Sequence, residues 1–138
     1  MTTIAPPLAR LMAVILLPGL LVGCVAAPAA PPSKEALLYL KYAGPPIDSF
    51  TYLGRYDGFR TLGGPYLVIW TTFTNAYLIK VRDPCIELPF ANRVGLTSTS
   101  NTVNGNFDFV LVEHDRCRIG TIQRVDYDAM KKAHVAGP

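Results

Sequence analysis

Three cysteines, Cys24, Cys85 and Cys117, carry most of the chemistry that this 138-residue chain offers. Leu21-Val22-Gly23-Cys24 ends an apolar run with a small residue set directly before a cysteine, which is the shape of a bacterial lipobox. The chemistry implied is attachment of diacylglycerol to the Cys24 thiol once residues 1–23 are cleaved, usually with acylation of the new N-terminus. Cys85 and Cys117 are then an even pair, and outside the cytoplasm an even pair favours a disulfide. Closing that loop of 33 residues contributes about 3.5 kcal/mol on the chain-entropy model. A metal site built from Cys85, His114 and Cys117 is the sharper alternative, but it lacks a fourth ligand and any Cys-x-x-Cys pair.

Other reactive constellations are sparse. His114-Asp115 and His134 are the histidine positions, and no Gly-x-Ser-x-Gly elbow presents a serine to either. Asp57 and Asp83 belong to turn chemistry, the remaining acids are scattered, and no glycine cluster forms a phosphate-cradling loop before a helix. These residues imply no cofactor, no metal and no catalytic group.

The N-terminal segment sets the expected address. Arg10 supplies a thin positive region, Leu11 to Val22 an apolar core of signal-peptide length, and Pro18-Gly19 breaks the run just before the cleavage point. A membrane-spanning helix would need roughly 20 apolar residues. Reaching that length would take in Pro28, Pro31 and Pro32, whose missing amide donors suit a lipid-exposed helix poorly. The expected organisation is a removed signal peptide (1–23), a lipidated cysteine with an Ala/Pro tether (24–32) and one disulfide-linked domain (33–138). Two acyl chains anchor firmly where one binds marginally. Val25, in place of Asp, favours the outer membrane under the lipoprotein sorting rule of Gram-negative enteric bacteria.

Counting from Cys24 leaves 12 Lys and Arg against 10 Asp and Glu, a net charge of +2. That mild balance gives no case for nucleic acid as a partner. The basic residues are nonetheless patterned. Lys80 and Arg82 share one strand face, and strand alternation puts Arg116, Arg118 and Arg124 on another. Adjacent strands would join the five into a basic stripe for anionic lipid headgroups, glycans or an acidic envelope protein. Tyr52, Tyr56, Phe59, Tyr66 and Trp70 are assigned mostly to the core, because a domain this small needs large apolar side chains to close.

The elements that must position these residues are mainly β. Ser33 caps a short helix running to Tyr42 or Ala43, with Leu37, Tyr39 and Leu40 toward the domain. Gly44 ends it in a left-handed conformation before Pro45-Pro46. Asp48 to Tyr56 and Phe59 to Leu62 flank Asp57-Gly58 as a hairpin, which Gly63-Gly64-Pro65 ends. Strands follow over Tyr66 to Phe73 and Ala76 to Arg82, the latter with Tyr77, Ile79 and Val81 on a buried face and Leu78, Lys80 and Arg82 on a wet one. Further strands cover Arg93 to Ser98, Phe107 to Glu113 and Cys117 to Val125, with Ser100 to Asn106 a polar loop and a terminal helix over Asp126 to His134. Short strands joined by tight turns imply an antiparallel sheet curled on itself, or a small barrel.

Ala76-Tyr77-Leu78, Cys85, Leu88, Ala91, Val94-Gly95-Leu96, Ser98, Phe107-Asp108, Val110, Cys117, Ile119 and Ile122 form a pattern. It resembles a family of small uncharacterised proteobacterial envelope proteins, classed as a domain of unknown function. The likeness covers roughly Ile47 to Val125. It implies export, a disulfide and a single domain, and it carries no activity with it. The sequence therefore favours a lipid-anchored binding or accessory protein of the envelope. An envelope hydrolase or a small-ligand carrier with an apolar cavity are the alternatives.

Overall fold

Two hydrophobic clusters, one inside a curled sheet and one beneath two helices, organise the computed structural model, which describes residue 2, residues 31–82 and residues 84–135. The lipobox and Asp83 lie outside the described residues. In chain order the elements are α1 (Lys34–Lys41), β1 (Ala43–Ile47), β2 (Ser49–Thr51), β3 (Gly58–Thr61), β4 (Tyr66–Trp70) and β5 (Ala76–Val81). A single 3-10 turn (Leu88–Phe90) follows, then β6 (Val94–Leu96), β7 (Thr102–Asn104), β8 (Phe109–Val112), β9 (Asp115–Val125) and α2 (Tyr127–Val135). The strand order β3-β4-β5-β9-β8-β6 makes a nearly closed, six-strand antiparallel barrel-like sheet. The Tyr56 hydroxyl donates to the Val94 carbonyl, drawing the β3 side toward β6 across the seam.

β9 is the axis of the molecule. At 11 residues it is long enough to pair with β5 along one edge, while its first half takes β8 and its last half takes β1 on the other. The barrel interior is filled by fully buried Leu67, Ile79, Leu88, Val103, Val110, Ile119 and Ile122, and Phe50 stacks on Tyr77 with ring centres 4.3 Å apart. Outside the sheet, α1 and α2 cover Val68, Ala76, Leu78 and Val125. This second layer explains why Leu67, Val68 and Ile69 are all buried in succession: β4 is dry on both faces.

The same layer corrects the reading of β5. Leu78 is 1% exposed, because helices cover the half of the outer face where it stands. In α1, Ser33 accepts from the Ala36 amide at 3.0 Å as expected of a cap. Ala36 and Tyr39 face the sheet, while Leu37, one helical step round, is 52% exposed instead of turned inward. Gly44 is not left-handed. The Asp126 amide captures the Tyr42 carbonyl at 2.9 Å and Ala43 pairs with Val125, so the chain passes straight from helix into β1. Pro45 and Pro46 are tolerated there because β1 pairs only with β9 and is irregular between Ala43 and Pro46, where the Gln123 side chain donates to the Gly44 carbonyl at 2.8 Å.

Asp57-Gly58 does not turn a hairpin. β2 pairs with β7 inside the region expected to be a polar loop, and β3 pairs with β4. The β3–β4 turn is Leu62-Gly63-Gly64-Pro65, whose glycines take φ of +82° and +55°. Those left-handed values suit glycine and make this the tighter turn. β6, β8, β9 and α2 stand where the sequence places them, with Val94 and Leu96 inward.

Candidate binding face

Cys85 and Cys117 are disulfide-bonded, with Cα atoms 5.5 Å apart and both residues buried. The bond ties the segment leaving β5 to the start of β9, so the two sulfurs are structural in this fold. The neighbouring carboxylates are structural as well. Asp115 accepts from the Glu87 amide at 3.2 Å, and Glu87 accepts from the His114 amide at 3.1 Å. His114 is 91% exposed at its side chain, with its Nδ1 3.8 Å from the same Glu87 carboxylate. The Cys85, His114 and Cys117 grouping is therefore a disulfide beside a surface turn.

Asp108, the acid of the Phe-Asp pair, is buried at 6% exposure. It accepts from the Thr97 hydroxyl at 2.7 Å and from the Asn104 amide at 2.8 Å, while the Thr97 oxygen accepts from the Phe109 amide. The carboxylate thus laces β6, β7 and β8 together. Its neighbours Val110 and Val112 share its inward direction, which turns Phe109 and Leu111 out.

Four of the five basic residues expected to form a stripe come together there. Phe109 faces Arg118 and Leu111 faces Arg116 in register across β8 and β9, and the Arg82 amide donates to the Arg118 carbonyl at 2.8 Å. Lys80 stands beyond, opposite Tyr66 on β4. The guanidinium carbons of Arg116 and Arg118 lie 4.0 and 5.8 Å from the Phe109 ring centre, and the Lys80 ammonium 5.7 Å from that of Tyr66. All four cations are exposed. None is within salt-bridge range of a carboxylate among the described residues, where the ion pairs are Arg60–Glu35 and His114–Glu87. Exposed Phe107 and Leu111 supply an apolar border.

Arg124 does not join them. Lys80 pairs with Thr121 and Val81 with Ile119, so β9 carries one extra residue, Gly120, against β5. This bulge reverses the alternation. Cys117 and Ile119 point inward before it and Ile122 after it, and Arg124 follows Ile122 to the opposite face from Arg116 and Arg118. There it pairs with Tyr77 and donates to the Asn75 side-chain oxygen at 3.0 Å.

The aromatic residues divide between the clusters. Tyr52 is buried, and Tyr56 and Phe59 pack against the barrel interior. Tyr66 and Trp70 belong to the helix-covered layer, where Trp70 meets Tyr39 and Tyr127 edge-on at 6.3 and 5.5 Å. Burial pushes the Tyr39 hydroxyl above the ordinary phenol value, Arg60 opposing it, and burial likewise raises Tyr52. What sequence reasoning missed was the aromatic part of the face. The alternation of Phe107, Phe109 and Leu111 with Asp108, Val110 and Val112 contained the signal, but either half was plausible as the buried one until Asp108 found its partners.

A family model described as Family of unknown function (DUF6491) matches residues 7–136, a longer span than the resemblance noted above. Comparison with curated proteins and with solved structures gives no match.

Proposed function

We propose that this chain, which belongs to the Family of unknown function (DUF6491), is a lipid-anchored binding module of the cell envelope. Acyl chains on Cys24 hold it at a membrane, in the outer membrane facing the periplasm, and the outer face of β5, β9 and β8 meets its partner. The observation that carries this reading is the grouping of Lys80, Arg82, Arg116 and Arg118 on one exposed surface beside Phe109 and Leu111, with no carboxylate paired to them among the described residues. Unneutralised cations bordered by aromatic rings suit an acidic or phosphate-bearing partner. The disulfide supports an oxidising compartment, and its use of Cys85 and Cys117 leaves Cys24 as the thiol for acylation.

A binding role also accounts for a groove beside α2 better than catalysis does. This groove, of about 880 Å³, runs past Lys41, Thr74, Asn75, Arg124, Asp126 and Asp128. Its central polar groups are already engaged: Arg124 holds Asn75, and an Asp126 carboxylate oxygen caps α2 by accepting from the Ala129 amide at 2.9 Å. The test is metabolic labelling with palmitate in a bacterial host, combined with membrane fractionation. Label and sedimentation with membranes are expected for the native chain and lost in Cys24→Ser. An unlabelled native chain that fractionates as Cys24→Ser does would overturn the anchor.

A further inference from the structure

We infer that the partner of the basic face is the anionic phospholipid bilayer itself, so that the domain lies on the membrane to which Cys24 ties it. The inference rests on the anchored-module reading and names its partner. Phosphate oxygens of the headgroups take Arg82, Arg116, Arg118 and Lys80, and the Phe109 and Leu111 side chains between them enter the headgroup layer. Arginine suits this role because its planar fork offers paired donors to phosphate while its face still stacks on a ring, as Arg116 does on Phe109.

The point where the tether enters the fold gives the second line of argument. Ser33 donates to the Leu62 carbonyl, Leu62 donates to the Tyr66 carbonyl at 2.9 Å, and Tyr66 pairs with Lys80. The tether therefore joins the body two strands from Lys80, or about 10 Å at the usual spacing between strands. Seven residue steps separate Cys24 from Pro31, and a chain of that length can reach about 22 Å. That length is enough to let the face lie flat on the surface that holds the acyl chains. The helices do not stand between, because they cover the half of the outer sheet around Val68, Leu78 and Val125, while Arg82, Arg116 and Arg118 occupy the other half, with Lys80 beside Tyr66 at the border.

The experiment uses the full-length lipidated protein in phosphatidylcholine vesicles with or without phosphatidylglycerol, each carrying a headgroup-nitroxide lipid. Leu111→Trp places an indole on the face, with room provided by Gly95 directly opposite on β6, and the signal of the half-buried Trp70 is subtracted using the native chain. The expected result is nitroxide quenching of the new indole in phosphatidylglycerol vesicles at low salt, relieved by high salt. Each basic residue near an anionic surface is worth about fivefold in partitioning. Arg82→Glu together with Arg118→Glu therefore weakens surface engagement at least about 25-fold on the same scale, returning quenching to the phosphatidylcholine level with the circular dichroism spectrum unchanged. Protein that stays vesicle-bound yet shows no phosphatidylglycerol-dependent quenching overturns the inference while leaving the anchor intact. Reversal of quenching by inorganic phosphate alone also overturns it, assigning the face to free anions. If mass spectrometry finds Cys24 unacylated, flotation of the same chain with phosphatidylglycerol vesicles still decides: salt-sensitive flotation upholds the face, and none sinks it.

Discussion

Replacing Gly120 with alanine tests the bulge on which the geometry of the basic face depends. A Cβ at this position would lie 2.9 Å from the Lys80 carbonyl oxygen, 3.4 Å from Arg82 Cγ and 3.7 Å from the Arg82 amide nitrogen. The first contact is the decisive one. Lys80 lies in the β5–β9 ladder, so its carbonyl cannot swing aside as a side chain end would, and relief requires the two strands to part locally. Overpacking of this kind costs about 1–3 kcal/mol. Alanine also restricts the unfolded chain, which returns about 0.4–1 kcal/mol, so the net destabilisation should be about 1–2 kcal/mol. With a urea m-value of about 1–3 kcal/mol per molar for a small domain, the unfolding midpoint falls by roughly 0.3–2 M. Urea titration of the oxidised protein, followed by Trp70 fluorescence, measures this. Gly58→Ala is the control, since its added Cβ would approach only the Trp70 ring at 3.9 Å, and its midpoint should stay close to the native one. A Gly120→Ala midpoint at or above that of the native protein would refute the steric reasoning, and with it the claim that this bulge fixes which arginines face outward.

Asp108→Ala removes the acceptor for both the Thr97 hydroxyl and the Asn104 amide. At about 1.5–3 kcal/mol for each bond to a charged group, the loss should reach about 3 kcal/mol or more in the same titration, with Asp108→Asn losing less. A native-like midpoint for Asp108→Ala would show that the buried carboxylate does not hold β6, β7 and β8 together. Alkaline pH should unfold the domain through its buried phenols. Tyr39 and Tyr52 are raised above the ordinary value near 10, so folding favours their neutral forms. The stability this gives is complete below the unfolded-state value and lost as pH rises through the folded one. Tyr39→Phe should flatten the fall of thermal stability above about pH 10, and an unchanged slope would contradict the assignment.

The fold was legible where a strand has one wet side, and it was misread where both sides are dry. β6 alternates cleanly, and its inward Val94 and Leu96 can be named from the sequence; β9 does so as far as Ile119, and β8 alternates with its two faces left open. In β5 the alternation is real, but Leu78 gains a second core from α1 and α2, and no local pattern announces a helix that arrives from 40 residues away. The Asp57-Gly58 error has a similar origin. That dipeptide satisfies the local rule for a tight hairpin, yet Phe50 is drawn to stack on Tyr77 and Val103 to fill the barrel, so β2 leaves β3 and pairs with β7. Long-range burial outweighed turn chemistry there, as it did at Gly44.

The basic face was legible in composition and wrong in one member for a reason that also bears on its purpose. Alternation assigns Arg124 to the side of Arg116 and Arg118 only if β9 is regular, and Gly120 breaks it. The bulge thereby moves one cation to the rim, where Asn75 receives it, and leaves Arg118 beside Arg82 on the outer face. Like charges on neighbouring strands oppose folding by a few tenths of a kcal/mol to about 1 kcal/mol per pair. The protein has acids with which to offset them: Glu35 is paired with Arg60, and Glu87 and Asp115 are engaged in the turn beside Cys85. Carboxylates thus serve the architecture elsewhere, while the Arg116, Arg118, Arg82 and Lys80 group is left without one among the described residues. Folding gains no ion pair from that arrangement, only the ring contacts on Phe109 and Tyr66, whereas a surface that meets negative charge also recovers the repulsion.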